Sequence, residues 1–374
     1  MNKQHGSGLI KPAKVVGGLQ GLQPSLAPGR FRRRSFLRNL ALGSAALIPM
    51  GTAWADSHNE NAGPIDLRGG ISANDAAILR FLAAAEILET DLWQQYTEFT
   101  DVDSPYRDAL EVIDDDIPDY VEQNTNDEFS HQNFLNAFLA KMHRAPVNLE
   151  AFRTLPSSPV APVQSPRLTN LMHLNVDTSW YLRYRSEGNP DFGDTFGQVV
   201  TINDRPAVPV QDQVLYTANQ MQAIANTAAF HFAMIEQGGS SLYDALSLNC
   251  TSLLALHIVS SIGGTEVAHF EIWHDVAGGA PAVDSGDGLV FPDLGANEET
   301  SPEDVMPRPC KFISEDLPLC SVIRPTSPAL AGATAAVQFL SDTGLFAGQS
   351  DAFFKTLMDL AKAADRATRG ASRH

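Results

Sequence analysis

Cysteine is nearly missing from this chain: Cys250, Cys310 and Cys320 are the three in 374 residues. No Cys-x-x-Cys occurs, which excludes zinc ribbons and thioredoxin-like redox chemistry. Basic residues are also scarce, with 26 Lys and Arg against 44 Asp and Glu and a net charge of −18. A surface of that sign repels nucleic acid and anionic membranes and keeps a protein soluble. Hydrophobic residues make up 44% of the chain, enough for one large core.

Acidic residues are themselves absent from positions 1–55, which hold Lys3, Lys11, Lys14, Arg30, Arg32, Arg33, Arg34 and Arg38. Arg33-Arg34-Ser35-Phe36-Leu37-Arg38 precedes an apolar run from Leu40 to Met50, followed by Ala53-Trp54-Ala55 with its small-x-small pattern. In that order these are the parts of a twin-arginine export signal. A membrane anchor is the alternative, but the apolar run is short for a bilayer and Pro49 interrupts it. The expectation is a signal peptide over 1–55 and a periplasmic or secreted protein that is more acidic once the signal is removed. An exported chain can carry a disulfide. Cys310 and Cys320, ten residues apart in a Pro-rich segment, are the natural pair, with Cys250 a buried thiol.

After a flexible lead over 56–71, Ser72 and Asp75 mark an N-cap. The helix they open runs to about Phe99 and is apolar on nearly every face before Glu86, which predicts deep burial. Residues 101–118 are acidic and broken by Pro105 and Pro118, and Asp114, Asp115 and Asp116 are expected on a solvated face. A second helix is predicted from about Asp119 to Met142, with Phe129, Phe134, Leu135, Phe138 and Leu139 as its apolar stripe. Eight prolines then break the periodicity from 145 to 210. That stretch predicts a long crossover, with a short hairpin from Gln198–Ile202 to Ala207-Val208 and apolar mass from Trp180, Tyr181, Tyr184, Phe192 and Phe196. A third helix is predicted from about Gln211 to Leu248. Gly238-Gly239 inside it would bend the helix or let a neighbour come close. A fourth covers about Ser252 to Val276 and ends at Gly278-Gly279. Residues 280–350 read as an ordered but irregular wrap, and Asp351 to Ala367 as an amphipathic helix packed outside the others.

Two of these helices carry the chemistry. Glu266 and His269 lie three residues apart in an apolar run, as do Glu128 and His131. On a helix, positions i and i+3 share one face, so each pair can reach one metal site. The chain is an internal repeat. Glu86 is followed seven residues later by Trp93, and Glu236 seven residues later by Tyr243, and each half then supplies its Glu-x-x-His. One such pair is expected by chance at a rate of roughly one half; two, each preceded by a helix with an inward Glu, are a stronger signal. A lone Glu from each of two helices plus a Glu-x-x-His from each of two others is the ligand set of a carboxylate-bridged dimetal site. Four carboxylates packed together cannot all stay charged without cations, and two divalent ions cancel them. Carboxylate and imidazole suit iron or manganese, and zinc less exclusively. Glu89 also has an aromatic residue, Tyr96, seven positions on, and competes with Glu86 as ligand. His231, His257 and His274 are expected as core residues or as support for the ligands.

The segments Ala85–Glu89, Asp127–His131, Ile235–Tyr243 and Glu266–His269 resemble the ferritin-like family, in its exported branch with the desiccation-related and fungal stress-induced proteins. The resemblance covers about 72–144 and 211–277. It implies an all-α, ferritin-like four-helix bundle over 72–277, with 145–210 as an insert and 278–374 as an irregular C-terminal extension. It also implies metal ligands Glu86, Glu128, His131, Glu236, Glu266 and His269. Glu86 and His131 would hold one ion, Glu236 and His269 the other, and Glu128 and Glu266 would bridge. The function implied is redox chemistry on dioxygen or peroxide, or metal-linked stress defence. A non-catalytic desiccation-protection protein is the rival, and iron storage is disfavoured because insert and tail oppose packing into a hollow shell. The expected partners are metal ions and a small oxidant, with a homo-oligomer allowed, and neither nucleic acid nor membrane.

Overall fold

The computed structural model describes residues 70–186, 196–302, 306–322 and 332–367. The export signal, the lead as far as residue 69, and Phe192 lie outside the described residues. Among the described residues there are eight α-helices and four very short strands.

Four long helices dominate: α1 (Ala73–Thr100), α3 (Ile117–Lys141), α5 (Ala218–Ser247) and α6 (Leu253–Gly278). They pack most extensively as two pairs, α1 with α3 and α5 with α6. Local chemistry sets their starts. Ser72 and Ser252 each accept the backbone N–H three residues on. Thr217 and Gln220 form a reciprocal capping box, so α5 begins at Ala218, after a 3₁₀ turn at Gln213–Leu215, and not at Gln211. Between α5 and α6, Cβ groups are few where the backbones approach. A Cβ on Gly263 would lie 2.8 Å from the Cβ of Tyr243.

On α3 the buried face is Val121, Asn124, Glu128, His131, Leu135 and Phe138, spaced by three and four. Phe129 and Phe134, expected in the apolar stripe, lie off that face and are 54% and 50% exposed. The inward side of this helix is therefore polar at its centre, which is why a purely hydrophobic criterion misplaces it. By length and composition α6 passes as a membrane span. Its face with Glu266, His269, Phe270 and Trp273 is buried in the protein.

Residues 101–118 are not simply a broken acidic linker. Ser104 caps, and Pro105 opens, the helix α2 (Pro105–Ile113), which buries Tyr106, Ala109 and Leu110 and leaves its acids outside. The Pro-rich crossover holds β1 (Leu174–Val176), α4 (Trp180–Arg183) and β2 (Ile202–Arg205). Here the expected hairpin is corrected: β2 pairs antiparallel with β1, Val176 facing Ile202, and Ala207 and Val208 are buried beyond it. The crossover is fixed to α1 through Asp91. Its Oδ2 accepts from Leu168 N (3.0 Å), Thr169 N (2.9 Å) and Thr169 Oγ1 (2.7 Å), and its other oxygen pairs with Arg153.

The C-terminal extension contains more regular structure than expected. β3 (Val283–Asp284) pairs with β4 (Val290–Phe291). Helix α7 (Ala333–Asp342) is short and has no capping side chain of its own; instead Asp365 accepts from Ala333 N and Thr334 N. That cap comes from the end of α8 (Asp351–Asp365), which packs on α1 and α7 and buries Phe353, Leu357, Leu360, Ala361 and Ala364. The Cys310–Cys320 pairing is corrected in one respect. Their backbones exchange hydrogen bonds of 3.0 and 2.9 Å, but both thiols are free. Each sulfur is turned to a carbonyl, Cys310 to that of Cys320 and Cys320 to that of Ser321. Cys250 is buried.

Candidate metal centre

Four helices each send side chains to one point in the core. Glu86 comes from α1, Glu128 and His131 from α3, Glu236 from α5, and Glu266 and His269 from α6. All four Glu are fully buried, and His131 and His269 are 8% and 6% exposed. Two groups of donor atoms result, each with all its atoms within 4.8 Å of one another: Glu86, Glu128, His131 and Glu266, and Glu128, Glu236, Glu266 and His269. Glu128 and Glu266 belong to both.

The two imidazoles face the carboxylates with the same nitrogen. Nδ1 of His131 lies 3.1 Å from Glu128 Oε2, 3.4 Å from Glu86 Oε2 and 3.5 Å from Glu266 Oε1. Nδ1 of His269 lies 3.1 Å from Glu128 Oε1 and 3.4 Å from Glu236 Oε2. Its Nε2 donates to Asp127 Oδ2 at 3.0 Å, so Nδ1 is the nitrogen that faces the carboxylates and would ligate once the ring is neutral.

A polar collar orients the carboxylates. Asn124 Nδ2 donates to Glu128 Oε1 (2.8 Å) and Glu236 Oε1 (3.0 Å), and its Oδ1 accepts from Trp273 Nε1 at 2.7 Å. The Tyr243 hydroxyl donates to Glu86. Burial, then the charges of Glu86 and Glu266, push the Tyr243 phenol well up, so it stays a donor. Gly239 is the close approach that the third helix needed. A Cβ there would collide with the Glu266 carboxylate, and α5 runs through the glycine pair unbroken.

Electrostatics make this cluster unfavourable as it stands. Burial, then Glu86 and Glu236, raises the Glu128 carboxyl well above the ordinary carboxylate range; burial, then Glu128 and Glu86, does the same to Glu266. For His269 burial acts downward, but Glu236, Glu266 and Asp127 outweigh it and hold the imidazole up at about 10. Several buried polar atoms have no hydrogen-bond partner: Glu86 Oε2, Glu236 Oε2, both oxygens of Glu266, and His269 Nδ1. Buried acceptors are normally satisfied, and each orphan costs about 1–3 kcal/mol. These atoms meet at one point, in groups that could hold a metal ion. The spacing also fits one. In an octahedron with bonds of about 2.1 Å, adjacent donors sit about 3.0 Å apart, close to the separations of 3.1–3.5 Å seen here.

Glu89, the competing ligand, is not in either group. It lines an apolar cavity beside the cluster, and burial, then Glu86 and Glu236, raises its carboxyl well above the ordinary range. His231 is a core residue: burial lowers it to about 3, and its Nδ1 shares a hydrogen bond of 2.7 Å with the Tyr96 hydroxyl. His274 stacks on Tyr181, and His257 is exposed on α6. Asp114, Asp115 and Asp116 bring donor atoms together but lie partly at the surface. Asn124, Asp127 and the crossing of Tyr243 to Glu86 were missed from sequence. A signal existed for Asn124, which lies four residues before Glu128 on the same helical face.

Searches of family models, of curated proteins and of solved structures found no match for this chain.

Proposed function

We propose that this chain is an exported, ferritin-like four-helix-bundle protein that holds a carboxylate-bridged pair of divalent metal ions, iron first and manganese second. Glu86 and His131 would hold one ion and Glu236 and His269 the other, with Glu128 and Glu266, which belong to both groups of donors, shared between them. The observation that carries this is the convergence of four fully buried Glu and two His from four helices, with carboxylate oxygens of Glu86, Glu236 and Glu266 left without a hydrogen-bond partner and spacings suited to metal ligation. When bound, such an ion pair supplies electrons for reduction of dioxygen or peroxide.

The chain's own residues do the rest. Asn124 ties a bridging carboxylate to a terminal one, so that the two halves keep their spacing. Tyr243 holds Glu86 by its hydroxyl, and Asp127, by accepting from Nε2, orients His269 with Nδ1 toward the carboxylates. Burial of all four carboxylates keeps bulk water from competing for the ions.

Elemental analysis of protein purified from the exported fraction tests this. The expected result is two Fe or Mn per chain, with turnover of dioxygen or peroxide. Glu266→Ala and His269→Ala each lose metal, whereas Glu271→Ala keeps it, because Glu271 is engaged elsewhere as the acceptor of the Tyr184 hydroxyl. Equal metal content in all three variants overturns the assignment. Stable protein that takes up no metal favours the non-catalytic protective role.

A further inference from the structure

One cavity of about 40 Å³ lies between α1, α5 and the C-terminal helices. That is room for about three water-sized bodies. Its walls are apolar: Leu88 and Leu92 from α1, Leu242 from α5, Leu340 from α7, and Phe346 and Leu357 beyond. Glu89 is the one ionisable side chain among the lining residues. Apolar spaces in proteins take up small apolar guests such as xenon.

Two lining residues connect the cavity to the carboxylate cluster. Gly239 has no side chain, and the carboxylate of Glu266 fills the place where its Cβ would stand. Glu89 lies one helical turn from Glu86. On the far side the cavity is roofed by α7, by Leu345 and Phe346, and by α8. The C-terminal extension therefore does more than wrap the outside of the long helices. It lines apolar volume one residue away from the buried Glu and His cluster.

We propose that this cavity is where dioxygen dissolves in the protein before it reaches the carboxylate cluster. The identity of the guest rests on the dimetal function proposed above; the cavity's affinity for small apolar molecules does not. Dioxygen is apolar, fits the volume, and partitions from water into such a space, whereas a charged or hydrogen-bonding oxidant does not.

Crystals of the full-length purified protein pressurised with xenon test the cavity, and oxidation of bound ferrous ion tests its use. Xenon is expected among Leu88, Leu242, Leu340 and Phe346. Ala336→Phe, which fills the space from α7, should exclude xenon and leave iron content unchanged. It should slow oxidation by dioxygen several-fold but not oxidation by hydrogen peroxide. Leu340→Ala enlarges the space and should raise xenon occupancy, so the cavity is tested even if the filled variant does not fold. Absence of xenon from an iron-loaded wild type overturns the cavity, as does an unchanged dioxygen rate in an Ala336→Phe variant that has lost xenon. Xenon bound in a chain that takes up neither iron nor manganese overturns the dimetal function, and dioxygen as guest with it.

Discussion

The carboxylate of Glu266 on α6 occupies the space that any side chain at position 239 of α5 would need. Glycine inside a helix ordinarily costs about 0.5–1 kcal/mol relative to alanine, so its presence here is a concession to the cluster. Gly264, on α6, has nothing within 4 Å of where its Cβ would stand. Gly264→Ala should therefore raise the melting temperature and leave metal uptake unchanged. Gly239→Ala should displace Glu266 and lower metal content, despite the same gain in helix propensity. Thermal melts and metal analysis on both variants decide this. A Gly239→Ala protein with full metal content would show that Glu266 is not held where the structure puts it.

The pH dependence of stability should reverse with metal. In the metal-free fold Glu128 and Glu266 hold their protons well above the ordinary value near 4.5. The folded state then binds more protons than the unfolded one, so stability falls as pH rises above about 4.5. His269 acts in the same sense. Its folded value of about 10 lies above the ordinary 6.5, so its contribution is full below about 6.5 and is lost as pH climbs to 10. Metal binding demands deprotonated carboxylates and a neutral imidazole, and so strengthens with pH. Melting temperatures from pH 5 to 9, with chelator and with ferrous or manganous ion, should diverge as pH increases. A chelated protein that grows more stable over that range contradicts the buried-carboxylate account.

How far the sequence disclosed this arrangement depends on what each residue interacts with. The four long helices were readable because their starts are local: Ser72, Thr217 and Ser252 cap within three residues. The positions of Glu86, Glu128, His131, Glu236, Glu266 and His269 were readable because helical spacing sets which residues share a face. What failed was set by distant partners. Asp365 caps α7 from 31 residues away. Ile202 pairs with Val176 and not with a nearby turn partner. Phe129 and Phe134 are as apolar as Phe138, yet the inward face of α3 is fixed by Asn124, Glu128 and His131. In α2, acidic residues hid an amphipathic helix whose apolar face is only Tyr106, Ala109 and Leu110.

The two halves of the cluster should differ in affinity. His269 is oriented by Asp127, the residue before Glu128. The equivalent position in the other half is Thr265, the residue before Glu266, which has no carboxylate to offer His131. Removing a carboxylate behind a metal-bound imidazole typically costs 10- to 100-fold in affinity. Asp127→Ala should therefore weaken the ion at His269 and Glu236 by about that factor and spare the one at Glu86 and His131. Calorimetric titration of chelated protein should show one tight and one weakened step. Two steps unchanged from wild type would mean that Asp127 is only a surface partner of the ring.

Asp91 is the test of whether the crossover is separable from the candidate metal centre. It sits on α1 five residues beyond Glu86 and on another face, with its carboxylate buried against Leu168, Thr169 and Arg153. Asp91→Ala leaves two backbone N–H groups without an acceptor and Arg153 without its buried partner. Loss of one partner from such a network costs about 3–5 kcal/mol. The denaturant midpoint should fall accordingly, and residues 150–175 should become sensitive to protease before the long helices do. Metal content at low temperature should stay at the wild-type level, because no atom of Asp91 reaches the cluster. Simultaneous loss of metal and of protease resistance would show that the crossover and the centre form one cooperative unit.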